Sequence, residues 1–348
     1  MNSSSVRSVL WAPRGQHRHA AVVSVLATAI VLVGCGSPGP ASSPPGRVSD
    51  TTTTVSATSG DFARSIDIGK GRTIYMTCSG SGSPTIVLVS GLGERADNWT
   101  MTSDPNTADP NAVYQQAARI SRVCAYDRPG TASMTEAGWQ ASRSSPVPQP
   151  TTGTSAANDL HAMLSASGES GPYVLVGHSY GGDIIRLYAA AYPDSVAGLV
   201  LEDALSEDLP KRLTPDQTAN LEKLNSPTVQ GRPPGAETFE FGAVFPELRA
   251  ISTVPNVPTI VLTADQFPIT PEAIASGQLP PFVDQAFADA LWSAQLAAQD
   301  ELAAKFPAAI HITKTNAHHY IHTEQPQVVL DAISQVVDQV RGRTRPTR

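Results

Sequence analysis

Gly177-His178-Ser179-Tyr180-Gly181-Gly182 sets a serine between glycines two positions to either side. The apolar run Tyr173-Val174-Leu175-Val176 precedes it and reads as a buried parallel strand. Asp183 to Tyr192 follows and reads as a helix that ends before Pro193. A serine at the apex of a strand–turn–helix unit is forced into a strained backbone conformation, and only small neighbours let strand and helix close around it. Its hydroxyl then stands at the carboxyl end of the strand, above a helix N-terminus whose N–H groups can meet a developing oxyanion. Ser179 is therefore the candidate nucleophile. The alternative is a glycine-rich turn with an incidental serine; the strand and helix on either side favour the nucleophile.

Such a turn needs a sheet to hold it. Short apolar runs predict strands at Thr73–Cys78, Thr85–Ser90, Arg122–Tyr126, Tyr173–Gly177, Gly198–Glu202, Thr259–Thr263 and Ala309–Thr313. Helical patterns fall at Ala112–Ile120, Ser155–Ser165, Asp183–Ala191, Phe282–Lys305 and Gln327–Val340. This alternation implies an α/β domain, a mostly parallel sheet flanked by helices, over residues 61–340. Residues 206–254 break the rhythm. They are rich in Pro, Glu and Leu with Phe239, Phe241 and Phe245 late, and are too long for a plain loop. They are expected to form a lid over the carboxyl ends of the strands. Arg341 to Arg348 reads as a basic tail.

The N-terminus speaks to location. Arg7, Arg14 and Arg18 lead an apolar stretch from Ala20 to Val33, and no acidic residue precedes Asp50. The stretch is shorter than the ~20 residues a membrane-spanning helix needs, so residues 1–34 read as a signal peptide. It ends in Leu32-Val33-Gly34-Cys35, which resembles a bacterial lipoprotein box, with Cys35 as the acylated residue. The expected location is the outer side of the cell membrane, lipid-anchored. Residues 35–60 are nearly all Gly, Ser, Pro, Thr, Ala and Val, a linker that cannot bury a core. The net charge of −7 becomes −10 once residues 1–34, with three arginines and no acid, are removed. That argues against nucleic acid as a partner.

Taken together, the segments resemble the α/β-hydrolase superfamily, serine esterases and lipases in particular, from about Ile66 to Val340. Val87 to Gly93, with Asn98-Trp99 beyond, resembles the family's oxyanion loop, with Ser90 in place of its usual histidine. Val123 to Gly130 resembles its strand-four turn. His319-Tyr320-Ile321-His322-Thr323-Glu324-Gln325-Pro326 resembles the loop that carries the catalytic histidine. The resemblance implies an eight-stranded sheet with the lid inserted after the sixth strand. It also implies an ester hydrolase that needs no metal or organic cofactor and acts on a small-molecule or lipid ester. Ser179 would attack the carbonyl, His319 would act as general base, and the N–H groups of Leu92 and Tyr180 would bind the oxyanion.

Two assignments rest on the resemblance. His319 matches the family's His-x4-Glu-x-Pro pattern, whereas His318 stands where that pattern usually has glycine and His322 reads as a packing or hydrogen-bonding residue. The acid is Asp203, after the sixth strand, or Asp265, after the seventh. The seventh-strand pattern would set a carboxylate at Phe267, which favours Asp203; Glu202 should point to the other face of its strand. In the implied fold Cys78 and Cys124 lie on adjacent antiparallel strands, within disulfide reach in an oxidising compartment. Two rival readings remain. An amide or peptide hydrolase could use Glu237, Glu240 or Glu247 to hold an amino terminus. A non-catalytic envelope binding protein is the other, against which the order Ser, Asp, His weighs.

Overall fold

The computed structural model describes residues 60–102, 109–135 and 137–344. The signal segment, Cys35 and the linker up to residue 59 lie outside the described residues, as do residues 345–348. The strands are β1 (Phe62–Asp67), β2 (Thr73–Ser79), β3 (Ile86–Val89), β4 (Val123–Tyr126), β5 (Ala132–Thr135), β6 (Gly138–Ala141), β7 (Tyr173–His178), β8 (Val196–Glu202), β9 (Thr259–Leu262) and β10 (Ile310–Ile312). Eight of them form one sheet in the order β1-β2-β4-β3-β7-β8-β9-β10. β2 runs antiparallel to both of its neighbours, and every pair from β4 to β10 is parallel. β5 and β6 form a separate hairpin.

The helices are α1 (Val113–Ile120), α2 (Gly153–Ser167), α3 (Tyr180–Ala191), α4 (Pro215–Leu224), α5 (Phe241–Arg249), α6 (Pro271–Ala275), α7 (Gln285–Ala304), α8 (Ile321–Glu324) and α9 (Pro326–Thr344). The central strands are apolar throughout because both faces are covered. Ile86 and Leu88 of β3 pack with Val113 and Ala117 of α1 and Val329, Ile333 and Val336 of α9. Val87 and Val89, one step along, face the opposite cluster with Leu160 of α2 and Ile184 of α3. Each such fully buried side chain stabilises the fold by about 1.5–3 kcal/mol.

Cys78 and Cys124 are register partners on β2 and β4, with Cα atoms 4.1 Å apart, and are joined by a disulfide. The helix expected to stop at Val340 continues to Thr344. Arg341 therefore does not begin a solvated tail: its guanidinium donates to the Ser83 and Ile120 carbonyls, each at 2.9 Å.

The lid segment follows β8, the sixth strand of the main sheet. It carries α4 and α5. α4 opens on a capping box, in which Thr214 Oγ1 accepts from Gln217 N at 3.2 Å and Gln217 Oε1 accepts from Thr214 N at 2.9 Å. Phe239, Phe241 and Phe245 pack on one another, and Phe239 meets the Tyr180 ring edge-on at 5.0 Å.

Candidate active site

Ser179 stands between β7 and α3 with φ 52° and ψ −122°, a conformation that non-glycine residues avoid. Surrounding contacts hold it there. Its N–H donates to the Glu202 carbonyl at 3.0 Å, and its own carbonyl accepts from Gly182 N at 2.9 Å and Leu205 N at 3.2 Å. A Cβ on Gly181 would lie 2.1 Å from the Val89 carbonyl oxygen, and one on Gly177 would lie 2.6 Å from that of Gly181, so only glycine fits either site.

Asp203 directly follows β8, which lies next to β7 in the sheet, and also has positive φ, 37°. Its N–H donates to the Leu262 carbonyl at 2.7 Å. Oδ2 lies 2.6 Å from His319 Nδ1, while Oδ1 accepts from Ala264 N at 3.1 Å and from Gln295 Nε2 at 3.5 Å. His319 sits in the loop before α8. Ser179, Asp203, His319, Leu92 and Tyr180 all line one cleft of about 920 Å³, its open mouth included.

The remaining candidates have other partners. Asp265 accepts from Ala317 N at 3.2 Å and Thr315 Oγ1 at 3.4 Å, which fastens the histidine loop to the end of β9. His318 turns to Glu324, 3.0 Å from Nδ1. His322 is buried: its N–H and its Nδ1 both meet Glu202 Oε1 at 2.7 Å, and Nε2 faces Asn98 at 3.2 Å. Phe267 stacks on Trp292 in the cleft wall. The three lid glutamates do not line the cleft. Glu237 is buried against Arg128, and Glu247 accepts from Thr154 N at 3.0 Å.

The cleft wall also holds an ionic cluster that sequence spacing does not reveal. Glu94 Oε2 accepts from Gly91 N at 3.0 Å and Asn98 Nδ2 at 2.9 Å, and faces His178 Nδ1 at 3.4 Å. His178 Nε2 meets the His319 carbonyl at 3.0 Å. Burial alone would raise the Glu94 pKa, but bonds and charge from His178, with a bond from Tyr320, hold it well below the ordinary carboxylate value. Burial alone would lower His178, yet Glu94 pushes its pKa above the ordinary imidazole value. His319 is lowered, by burial first and then by the charge of His178, against the pull of Asp203. Lowered in this way, His319 favours the neutral imidazole, the form a general base requires.

The loop of residues 90–95 is clamped from the lid. Arg128 donates to the Ser90 carbonyl at 2.8 Å and the Gly91 carbonyl at 2.5 Å. It also pairs with Glu237 through Nε–Oε1 at 2.7 Å and Nη2–Oε2 at 2.9 Å. Glu237 Oε2 then accepts from Gly93 N at 2.6 Å. A lid carboxylate therefore fixes the residue that follows Leu92.

Residues 84–238 match the family model described as alpha/beta hydrolase fold. The chain has the α/β-hydrolase fold. Solved structures agree with that fold: an N-acyl homoserine lactone degrading enzyme, Est816, is 16% identical with TM-score 0.52, covering 79% of this chain and 100% of its own. A thermophilic esterase from Thermogutta terrifontis is 19% identical with TM-score 0.50, covering 80% and 99%. Among curated proteins, an uncharacterised protein of Schizosaccharomyces pombe is 30% identical over 149 residues, 38% of this chain and 26% of the relative. A probable transporter of Hormonema carpetanum, efuK, is 28% identical over 148 residues, 41% of this chain and 18% of the relative. The chain thus spans about a quarter or less of the curated relatives it matches.

Proposed function

We propose that this chain is a serine hydrolase that cleaves carboxylic esters, with Ser179 as nucleophile, His319 as general base and Asp203 as the acid that orients it. One observation carries the reading. The 2.6 Å contact between His319 Nδ1 and Asp203 Oδ2 lies in the same cleft as a serine held at a strained elbow. In the proposed cycle, His319 Nε2 takes the Ser179 hydroxyl proton as Oγ attacks the ester carbonyl. The oxyanion forms against the N–H groups of Leu92 and Tyr180. Collapse breaks the ester C–O bond, and His319 returns the proton to the departing alcohol. Water, deprotonated by His319, then attacks the acyl-enzyme, and Ser179 regains its proton as the acid leaves. The amide-hydrolase alternative has less support, because Glu237 and Glu247 are engaged elsewhere.

The proposal extends to location. Export behind residues 1–34 and acylation of Cys35 would tether the enzyme to the outer face of the membrane, where its partner is a small-molecule or lipid ester. The Cys78–Cys124 disulfide supports an oxidising compartment. Among the described residues no helix is long and apolar enough to cross a membrane.

The test is Ser179→Ala. Hydrolysis of 4-nitrophenyl butyrate should fall about 10⁴-fold or more, and labelling by a fluorophosphonate should vanish while the melting temperature holds. A variant that keeps more than about a tenth of wild-type turnover removes the nucleophile. Mass spectrometry of the mature N-terminus tests the anchor separately: acyl chains on Cys35 support it, and an unmodified N-terminus elsewhere refutes it.

A further inference from the structure

Among the described residues, Arg232 is the sole arginine or lysine lining the cleft. It follows α4 in a turn closed by Arg232 N donating to the Pro227 carbonyl at 2.8 Å. Its guanidinium closely approaches Gly93: a Cβ there would sit 1.8 Å from Nη1 and 2.4 Å from Cζ. Gly93, at φ 72°, is favoured by its backbone conformation, and its missing side chain leaves room for the guanidinium. The charge is felt as far as Tyr320, the residue after His319.

This cation has no counter-ion among the described residues. Nη2 donates to Gln230 Oε1 at 3.2 Å, whereas Nη1 is shielded from solvent and meets no acceptor. The neighbouring carboxylates are committed: Glu94 to His178 and Asn98, Glu237 to Arg128 and Gly93, Asp203 to His319 and Ala264. A buried donor left without an acceptor is costly, the more so when it is charged. A guanidinium does not relieve that cost by losing its proton. A group that keeps such a donor in a cleft beside the reacting carbonyl is suited to an anion brought by the ligand.

We propose that Arg232 binds a carboxylate of the substrate, so that the preferred ester is a monoanion, such as the monoester of a short dicarboxylic acid. The inference rests on the ester-hydrolase reading above. One guanidinium edge matches one carboxylate in charge and in planar geometry, whereas a phosphate dianion would lack a second lysine or arginine. Leu205, Leu209, Leu221 and Leu291 give the rest of the cleft apolar walls for the intervening methylenes. A neutral acyl chain satisfies those walls and leaves Arg232 unpaired.

The experiment compares monoethyl succinate, glutarate and adipate with ethyl butyrate, pentanoate and hexanoate by pH-stat, for wild type, Arg232→Met and Arg232→Lys. The readout is the ratio of kcat/KM for each anionic ester to that of its neutral counterpart. Wild type should favour at least one monoanion, and Arg232→Met should lower that ratio about 10–100-fold. Arg232→Lys, which keeps the charge and loses the fork, should fall between the two. Titration calorimetry of free glutarate and adipate into Ser179→Ala, with and without Arg232→Met, reads binding without turnover. Binding that Arg232→Met abolishes supports the subsite even if no ester is cleaved, and in that case only the hydrolase reading fails. Ser179-dependent cleavage of neutral esters, with no anion preference and no dicarboxylate binding, overturns the subsite and leaves the hydrolase. An equal loss on anionic and neutral esters in Arg232→Met also overturns it, because Arg232 would then act on the oxyanion loop alone.

Discussion

Asp203→Asn should cost far more turnover than Asp265→Asn, and the reason lies in which atoms hold each carboxylate. Asp203 Oδ1 already accepts from Ala264 N at 3.1 Å, with Gln295 Nε2 at 3.5 Å. An asparagine there must keep an oxygen on those donors, since an NH₂ group would face an N–H. Its NH₂ group is therefore forced towards His319 Nδ1, now 2.6 Å from Oδ2. A donor in that place drives the imidazole proton to Nε2, the nitrogen that must accept from Ser179. The base is left in the wrong tautomer with its geometry nearly unchanged. The same substitution in a serine protease triad costs about 10⁴-fold in kcat, or about 5 kcal/mol of barrier. Asp265 instead braces the 315–317 backbone and does not touch His319 in this arrangement. Its amide can still accept from Ala317 N, so a loss below about tenfold, on the order of 1 kcal/mol, is expected. Initial rates on 4-nitrophenyl butyrate, with circular dichroism and melting curves to confirm folding, decide between them. If both variants fold and Asp265→Asn loses more, the assignment of the acid is refuted.

Two further predictions concern the clamp and the base. Glu237→Ala strands Arg128 in the interior and should destabilise the protein by about 3–5 kcal/mol in urea titrations, with much of the loss restored in Arg128→Met/Glu237→Leu; a single-variant cost below about 1 kcal/mol would show that the pair is not a clamp. Because burial and the His178 charge lower the His319 pKa beneath its ordinary 6.5, the base remains neutral on acidification until that lowered value is passed. The acid limb of kcat/KM should thus be centred below pH 6.5, and a limb centred above about pH 7 would contradict this electrostatic picture.

What the sequence made legible was local. The elbow is a six-residue pattern between a strand and a helix, and the histidine loop is an eight-residue one, so both could be read from spacing. The preference for Asp203 over Asp265 rested only on its place after β8 and on the absence of a carboxylate at Phe267. β1 escaped because it lies at the sheet edge with Ile66 as its one fully buried side chain, and no alternation marks it. The β5–β6 hairpin escaped for a similar reason, since only Ala132 of its residues is buried. The Arg128–Glu237 pair joins residues 109 apart, and no local rule links them. Glu237 therefore read only as one of three lid acids that could hold an amino terminus. Arg232 was equally silent: its meaning lies in the carboxylate that it lacks, which is visible only when its surroundings are.

The proposed chemistry and the proposed specificity rest on different parts of the fold. Ser179 and Asp203 are strained residues at the ends of adjacent parallel strands. Each keeps its N–H on the next strand, Ser179 on Glu202 at 3.0 Å and Asp203 on Leu262 at 2.7 Å. The ladder bonds of an ordinary sheet thus offset the cost of two unfavourable conformations, and the reacting groups inherit the rigidity of the core. Arg232, Gln230, Leu221 and Phe239 come from the segment after β8 and set what enters. The two parts meet at Gly93, where Glu237 takes the N–H and Arg232 covers the Cα. A change of substrate that keeps Arg128, Glu237 and Gly93 should therefore leave the oxyanion loop in place. A lid exchange that discards Glu237 should lose turnover on every ester alike, even where the new lid fits the acyl group better.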